Sequence, residues 1–439
     1  MSTAKEVSLL QIFPKTSQIK NNHLFIGGCD CVELADKFGT PLYVFDKTSL
    51  LNRCEEFKKE FGSRYPNSLV CYASKAFTNR PLVTILKDTG VGLDVVSGGE
   101  LAIAQSAGFP PQNVYFHGNN KSEAELKQAV EWGIGRVVVD NFYEISLLEK
   151  VASEQGKTQD ILLRLSPGID PHTHRLTSTG VVDSKFGFLM AHAEAAVIAA
   201  LKAPHLRLLG LHAHLGSPLF DVEPYLEAIP LLLNFAADMK RKHGFRLEEF
   251  SPGGGFAITY VRERPAPPIS YYAEAITSAI KAQVQKSGLD LPKLTVEPGR
   301  AIVGSNAIAL YRVGASKDIP GIRKYVSVDG GMGDNIRPPL YEAKYEALVA
   351  NKASEPVTEK VTLCGKYCES GDILIKDIDL PPLSPGDIIA MPSMGAYSIP
   401  MASNYNASLK PAIVLVENGK ATLMRRRETY QDLIDKDEF

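Results

Sequence analysis

SLVCYASKAFTNRPLVTILKDTGVGLDVVSGGELAIAQSAGFPPQNVYFHG (68–118) decides the fold. It holds three short apolar runs, SLVCYASKA (68–76), VGLDVVS (91–97) and NVYFHG (113–118), bounded by polar or glycine turns and separated by longer stretches of helical periodicity. Strands alternating with helices in this way build a parallel sheet, because a crossover helix must carry the chain back before the next strand can start alongside. The alternation continues through RVVVD (136–140), DILLRLSPG (160–168), LRLLGLHAHLGS (206–217), LEEFSPGGG (247–255) and KLTVEPGR (293–300). Eight such strands point to a closed (β/α)8 TIM-like barrel. An open α/β sheet of seven or nine strands is the competing arrangement.

Two intervening segments carry explicit helix signals. In SEAELKQAVEWG (122–133), Ser122 is placed to cap, Glu125 sits three residues on, and Gly133 ends the run. ISYYAEAITSAIKAQVQKSG (269–288) repeats apolar residues at three- and four-residue spacing. After Arg300 the texture changes to strand-like runs without long helices: 307–315, 324–331, 359–367, 372–380, 387–394, 411–419 and 420–428. HLFIGGCD and PLYVFD near the N-terminus read the same way. The expected class is therefore α/β, a barrel over 46–305 plus a C-terminal all-β domain, 306–439, that includes the N-terminal strands of 1–45.

A chain of 439 residues with 44% hydrophobic and 22% charged residues is an ordinary globular mixture, so disorder and fibrous architectures are excluded. Lys plus Arg (48) against Asp plus Glu (50) leaves a net charge of -2, with no global positive field for nucleic acid. MSTAKEVSLLQIF lacks the marks of a secretory signal and no apolar run reaches spanning length, so a soluble cytoplasmic protein is expected, without nucleic acid or membrane as partner. Six cysteines, with spacings Cys29-x-Cys31 and Cys364-x3-Cys368, match neither a disulfide scaffold nor a zinc ribbon. Reduced thiols and no metal are expected.

Chemistry in such a barrel gathers where the strands end. Polar residues follow apolar strand bodies at Lys75, Asp94, His117, His214, Ser217, Glu297 and Arg300. Gly253-Gly254-Gly255 closes the seventh strand and Glu297-Pro298-Gly299-Arg300 the eighth, where barrels place phosphate sites and where bare glycine backbone lets N–H groups approach an anion. A lysine beside a phosphate site suggests a Schiff base with pyridoxal 5′-phosphate. Glu297 would then hydrogen-bond the pyridine nitrogen and His214 stack on the ring. Each has a plainer reading: a snorkelling strand-end lysine, a tight glycine turn, a satisfied core histidine, and for Cys368 a buried apolar thiol.

At these residues the chain resembles the pyridoxal-phosphate decarboxylases of the alanine-racemase-like barrel class, and within it the diaminopimelate decarboxylases. The resemblance runs from PLYVFD (41–46) to NYNA (404–407). It rests on YASKA, LDVVSGGEL (93–101), HTHRLTSTG with SKFGF (172–188), HAHLGS (212–217), GGGF (253–256), EPGR (297–300), DGGMGDNIRPPLY (329–341), CESGD (368–372) and GAYSIPMASNYN (395–406). The resemblance implies that Lys75 holds the cofactor, with Asp94, His214, Ser217, Gly254, Gly255, Glu297, Pro298, Gly299, Arg300 and Tyr397 around it. It implies that Arg300, Arg337, Tyr341, Glu369 and Tyr397 bind substrate, and that Cys368 delivers the proton replacing the lost carboxylate. In that family the CESGD loop reaches the neighbouring subunit, which implies a homodimer with a shared active site.

Pro218 stands where the family usually has glutamine, in a loop beside the cofactor phosphate. The implied reaction is decarboxylation of meso-2,6-diaminopimelate to L-lysine, the last step of lysine biosynthesis. Alternatives are a sister decarboxylase acting on ornithine, arginine or a carrier-bound amino acid, a racemase, which needs two bases in place of the CESGD pair, and a non-catalytic homologue. Arg337 and Tyr341 in RPPLY speak for a substrate with a distal carboxylate.

Overall fold

The computed structural model describes residues 7–170 and 183–439, so the whole HTHRLTSTG motif (172–180) lies outside the described residues, while SKFGF lies within them. The chain divides into two compact units: Cys54–Ala257 with Pro267–Gly299, and the residues up to Arg53 with Ile258–Ala266 and Arg300–Phe439. The first is the barrel. Its strands are Ser68–Ala73, Gly92–Val95, Val114–Phe116, Arg136–Val139, Gln159–Ser166, Leu206–His212, Glu249–Gly253 and Lys293–Val296. Each pairs in parallel with its successor, the fourth with the fifth (Val137 opposite Ile161), and the eighth closes on the first with Leu294 opposite Ser68. A closed ring has no free edge and both strand faces are covered, which is why these runs read as continuous apolar stretches.

The observed strands are shorter than the quoted runs because the polar residues that follow them belong to the loops. The first strand stops at Ala73, and Lys75 sits on a 3-10 turn, Ser74–Ala76. The helix Glu123–Trp132 has the expected capping box between Ser122 and Glu125 and ends at Gly133 in the left-handed region, φ 76°. The helix Ile269–Ser287 ends the same way at Gly288. Cys71, Tyr115, Val138, Leu162 and Leu209 fill the barrel interior.

The second unit is a nine-stranded sheet plus a small three-stranded one. The strand Leu42–Asp46 lies at its centre, antiparallel to Ala307–Ile319 and parallel to Ala412–Glu417, which is how the N-terminus joins the β unit. Leu42, Val44, Ile308, Leu310, Ile388, Ala390, Val414 and Val416 form its core with Leu24 and Ile26. Residues 258–266, within the 46–305 range expected for the barrel, group with this unit. There Val7 N–H donates to the Arg262 carbonyl, and Arg262 Nε donates to Glu346 at 3.1 Å. A short excursion of this kind leaves no periodicity in the sequence. All six cysteines are free thiols. Among the described residues no helix is long and apolar enough to cross a membrane.

Candidate active site

Two side-chain clusters gather the residues singled out from the sequence, one in each unit. In the barrel, Glu297 follows the eighth strand and is buried at its C-terminal end. Its Oε2 lies 2.9 Å from His212 Nε2, and its Oε1 accepts from Ser251 Oγ at 2.8 Å. His117 Nε2 stands 3.7 Å from Glu297 Oε1 and 3.7 Å from Asp94 Oδ1. Burial works against ionisation of Glu297, but the His212 and His117 imidazoles and the hydrogen bonds from His212 and Ser251 hold its carboxyl well below the usual carboxylate range. Asp94 is pushed well above its ordinary value by burial and by the Glu297 charge, a push that the Lys75 charge opposes. Burial drives His117 well below its ordinary value.

The seventh strand ends in the glycine loop. A Cβ on Gly254 would run into the Glu297 carbonyl, and one on Gly255, φ +108°, into the Gly216 carbonyl. The backbone is this close because Leu219 N–H donates to Gly255 O at 2.8 Å, joining the Pro218 loop to the glycine loop, and Tyr225 OH donates to Gly254 O at 2.5 Å. His214 Nδ1 accepts from Gly254 N–H at 3.3 Å, and burial, followed by the Lys75 charge, pushes the His214 imidazole well below its ordinary value. Gly299 packs on Ala73, and Ala73 N–H donates to the Pro298 carbonyl at 3.2 Å, so the EPG turn lies against the turn that carries Lys75. Lys75 itself is exposed.

These residues fit a pyridoxal group. They offer an exposed amine, an ionised buried carboxylate, a backbone cradle with no space for Cβ atoms, and two buried atoms without hydrogen-bond partners among the described residues, Asp94 Oδ1 and His117 Nε2. His117, His212 and Glu297 also have ligand-type atoms within 4.8 Å of one another. As arranged, however, the 2.9 Å His212 to Glu297 contact is a hydrogen bond with its proton between the two, so the lone pairs do not converge on one ion.

In the β unit, Arg300 and Arg337 are both buried, and tyrosines surround them. Arg300 donates to Tyr260 OH at 2.7 Å and lies 4.8 Å from the Tyr397 ring centre. Arg337 donates to Tyr345 OH and lies 4.7 Å from the Tyr260 ring centre. Burial opposes ionisation of Tyr260, but the two guanidinium groups outweigh it and lower its hydroxyl below the ordinary value. Among the described residues Arg337 has no carboxylate within ion-pair reach, so its guanidinium is desolvated and still able to take an anion. Tyr341 ends the Arg337–Tyr341 helix. Cys368 and Glu369 lie exposed on a loop that Asp372 ties down, its Oδ2 accepting from Tyr367 N–H and its Oδ1 from Met332 N–H.

Sequence reasoning passed over His212, Ser251, Tyr260 and Tyr345. For His212 and Ser251 a signal existed: they are register partners on the sixth and seventh strands, one level below the residues that were chosen. Tyr260 and Tyr345 lie in no recognisable motif.

A parallel barrel with a glycine cradle after its seventh strand and a lysine after its first defines a pyridoxal-binding class. The family model described as pyridoxal-dependent decarboxylase, pyridoxal binding domain, matches residues 47–304. Diaminopimelate decarboxylase of Bacillus subtilis is 46% identical over 422 residues, covering 96% of each chain. That of Synechocystis is 42% identical, covering 97% of this chain and 92% of its own. The crystal structure of diaminopimelate decarboxylase from M. jannaschii in complex with L-lysine has a TM-score of 0.91 at 34% identity, covering 97% of this chain and 98% of that one. The chain belongs to the diaminopimelate decarboxylase family and is thus a carboxy-lyase.

Proposed function

We propose that the chain converts meso-2,6-diaminopimelate to L-lysine and carbon dioxide, the last step of lysine biosynthesis, using pyridoxal 5′-phosphate. The observation that carries this reading is Glu297, a buried carboxylate held ionised beside a glycine cradle and the Lys75 turn. Bound there, the cofactor supplies an electron sink for the pair released as carbon dioxide leaves. Lys75 holds it through Nζ, and the N–H groups of Gly255, Gly299 and Arg300 hold its phosphate with Ser217 and Tyr397, Gly254 keeping the backbone of the cradle close. Glu297 keeps a proton on the ring nitrogen, Asp94 faces the same region, and His214 packs against the ring.

Arg300, Arg337 and Tyr341 grip substrate carboxylates, which suits planar guanidinium forks already stripped of water. Glu369 takes the distal amino group, and Cys368 delivers a proton to the carbon that lost its carboxylate. The exposure of Cys368 and Glu369 supports delivery to a neighbouring subunit, hence a homodimer with shared sites. A cytoplasmic location accompanies this biosynthetic role.

Incubating the protein, loaded with pyridoxal phosphate, in parallel with meso-diaminopimelate, ornithine and arginine tests the reading. Lysine formed from diaminopimelate alone is expected. Turnover of ornithine or arginine without lysine overturns the substrate, and no turnover of any of the three overturns the reaction.

A further inference from the structure

The geometry points to His212 as the positioning residue for Glu297: held as the Nε2–H tautomer, it donates to Oε2 while Ser251 donates to Oε1, fixing the carboxylate that serves the ring nitrogen. This rests on the reading of Glu297 proposed above. His212 is opposite Ser251 on the seventh strand and Arg164 on the fifth, so the barrel's register sets imidazole and hydroxyl at one level, where both reach the same carboxylate.

The tautomer follows from burial. His212 is 1% exposed, and among the described residues its Nδ1 has no hydrogen-bond partner. A proton placed there would leave a buried donor unsatisfied, at a cost of roughly 1–3 kcal/mol. The proton that the 2.9 Å contact requires therefore sits on Nε2, pointing at Glu297.

A donor fixed at Nε2 orients the carboxylate that is to serve a cationic ring. Ser251 is constrained too, because its Oγ accepts from Gly253 N–H at 3.1 Å while donating to Glu297, so the carboxylate and the glycine cradle share one anchor. His117 meets the His212 ring edge to face, centroids 4.9 Å apart, and stops it from tilting away.

Two variants separate donation from bulk: His212→Gln puts an amide N–H near the position of Nε2, and His212→Leu fills the space with no donor. The first readout needs no cofactor. In the cofactor-free protein, histidine 15N spectra should show His212 protonated at Nε2 and bare at Nδ1, and a cationic or Nδ1–H form overturns the proposal. In the loaded protein, pyridoxal phosphate labelled at its ring nitrogen should give a pyridinium 15N shift in the wild type and in His212→Gln, and a shift toward free pyridine in His212→Leu. With it, kcat should fall roughly 10–100-fold in His212→Leu, the size expected when a partner that orients a functional ligand is removed. KM should hold, and His212→Gln should recover most of the loss.

A pyridinium shift retained in His212→Leu, or a Gln variant as impaired as Leu, overturns the role of the donor. If His212→Leu does not fold, Ser251→Ala, which removes the other donor, should produce the same displacement more weakly, and an unmoved shift there counts against the proposal. Failure of the wild type to bind pyridoxal phosphate would instead overturn the functional reading, with the cofactor-free tautomer judged separately.

Discussion

Replacing Asp334 by Asn should stabilise the β unit, by an amount that grows with pH. Asp334 is fully enclosed: Oδ2 accepts from Tyr311 OH at 2.6 Å and Tyr43 OH at 3.1 Å, and Oδ1 accepts from Gly331 N–H at 2.9 Å. Burial outweighs these bonds and raises its carboxyl from 3.8 to about 6. Below pH 3.8 the group is protonated whether the chain is folded or not. As pH rises toward about 6 the unfolded chain ionises while the folded one keeps its proton, so stability is lost at about 1.4 kcal/mol per pH unit and the loss levels off above that range. The full difference is about 3 kcal/mol, an upper figure if the interior relaxes around the charge. Asn mimics the protonated acid, keeping an oxygen for Gly331 N–H and turning its amide toward the tyrosine hydroxyls, which rotate to accept. Hydrogen exchange of the strand Arg323–Val328, compared between variant and wild type at each pH so that intrinsic rates cancel, should show the smallest difference below pH 3.8 and an advantage for Asp334→Asn that grows to about pH 6 and then holds to pH 7. A ratio that stays flat, or that favours the wild type at pH 7, refutes the reasoning.

Tyr115→Phe removes a buried hydroxyl that donates to Glu249 Oε1 at 2.5 Å and accepts from Lys293 Nζ at 2.7 Å. It should cost the barrel about 1–3 kcal/mol in urea unfolding followed by Trp132 fluorescence, with turnover unaffected. Gly254→Ala drives a Cβ into the Glu297 carbonyl, so affinity for pyridoxal phosphate, titrated by absorbance, should fall roughly tenfold or more, equivalent to at least about 1.4 kcal/mol. Arg337→Lys loses the planar fork and its stacking on Tyr260, so KM for diaminopimelate should rise roughly 10–100-fold with kcat changed less, and an unchanged KM would remove Arg337 from substrate binding.

The barrel was legible because its strands are buried on both faces and its helices announce their ends, as at Ser122 and Gly133. Where chain direction and local chemistry coincide, as in Gly253–Gly255, the candidate residues were legible too. What stayed hidden depends on packing across the fold. Tyr260 and Tyr345 matter only because a nine-residue excursion and a loop bring them to the two arginines, and nothing in 258–266 advertises that path. His212 was overlooked beside His214 because one histidine fitted a role next to a ring, whereas the other acts through a carboxylate 85 positions away. Lys75 was expected near the end of the strand and proved to lie on the turn just beyond it, because an apolar run does not reveal where ladder pairing ends.

The two ends of the barrel handle a buried carboxylate in opposite ways. At the N-terminal end Glu249 is matched by cations: Arg136 Nε donates to Oε2 at 2.9 Å, Lys293 Nζ lies 3.6 Å from Oε1, and Asp160 in turn binds Arg136 and Arg207. Tyr115 and Thr295 complete the set, and the charge is fully spent on holding strands together. At the C-terminal end Glu297 receives hydrogen bonds from an imidazole and a hydroxyl and makes no contact with a lysine or arginine among the ion pairs of the described residues. A carboxylate held ionised by hydrogen bonds and not paired with a lysine or arginine keeps its acceptor capacity for a cationic donor, and so it is suited to bind one. That asymmetry, more than any single residue, separates the end of the barrel that stabilises it from the end that can do chemistry.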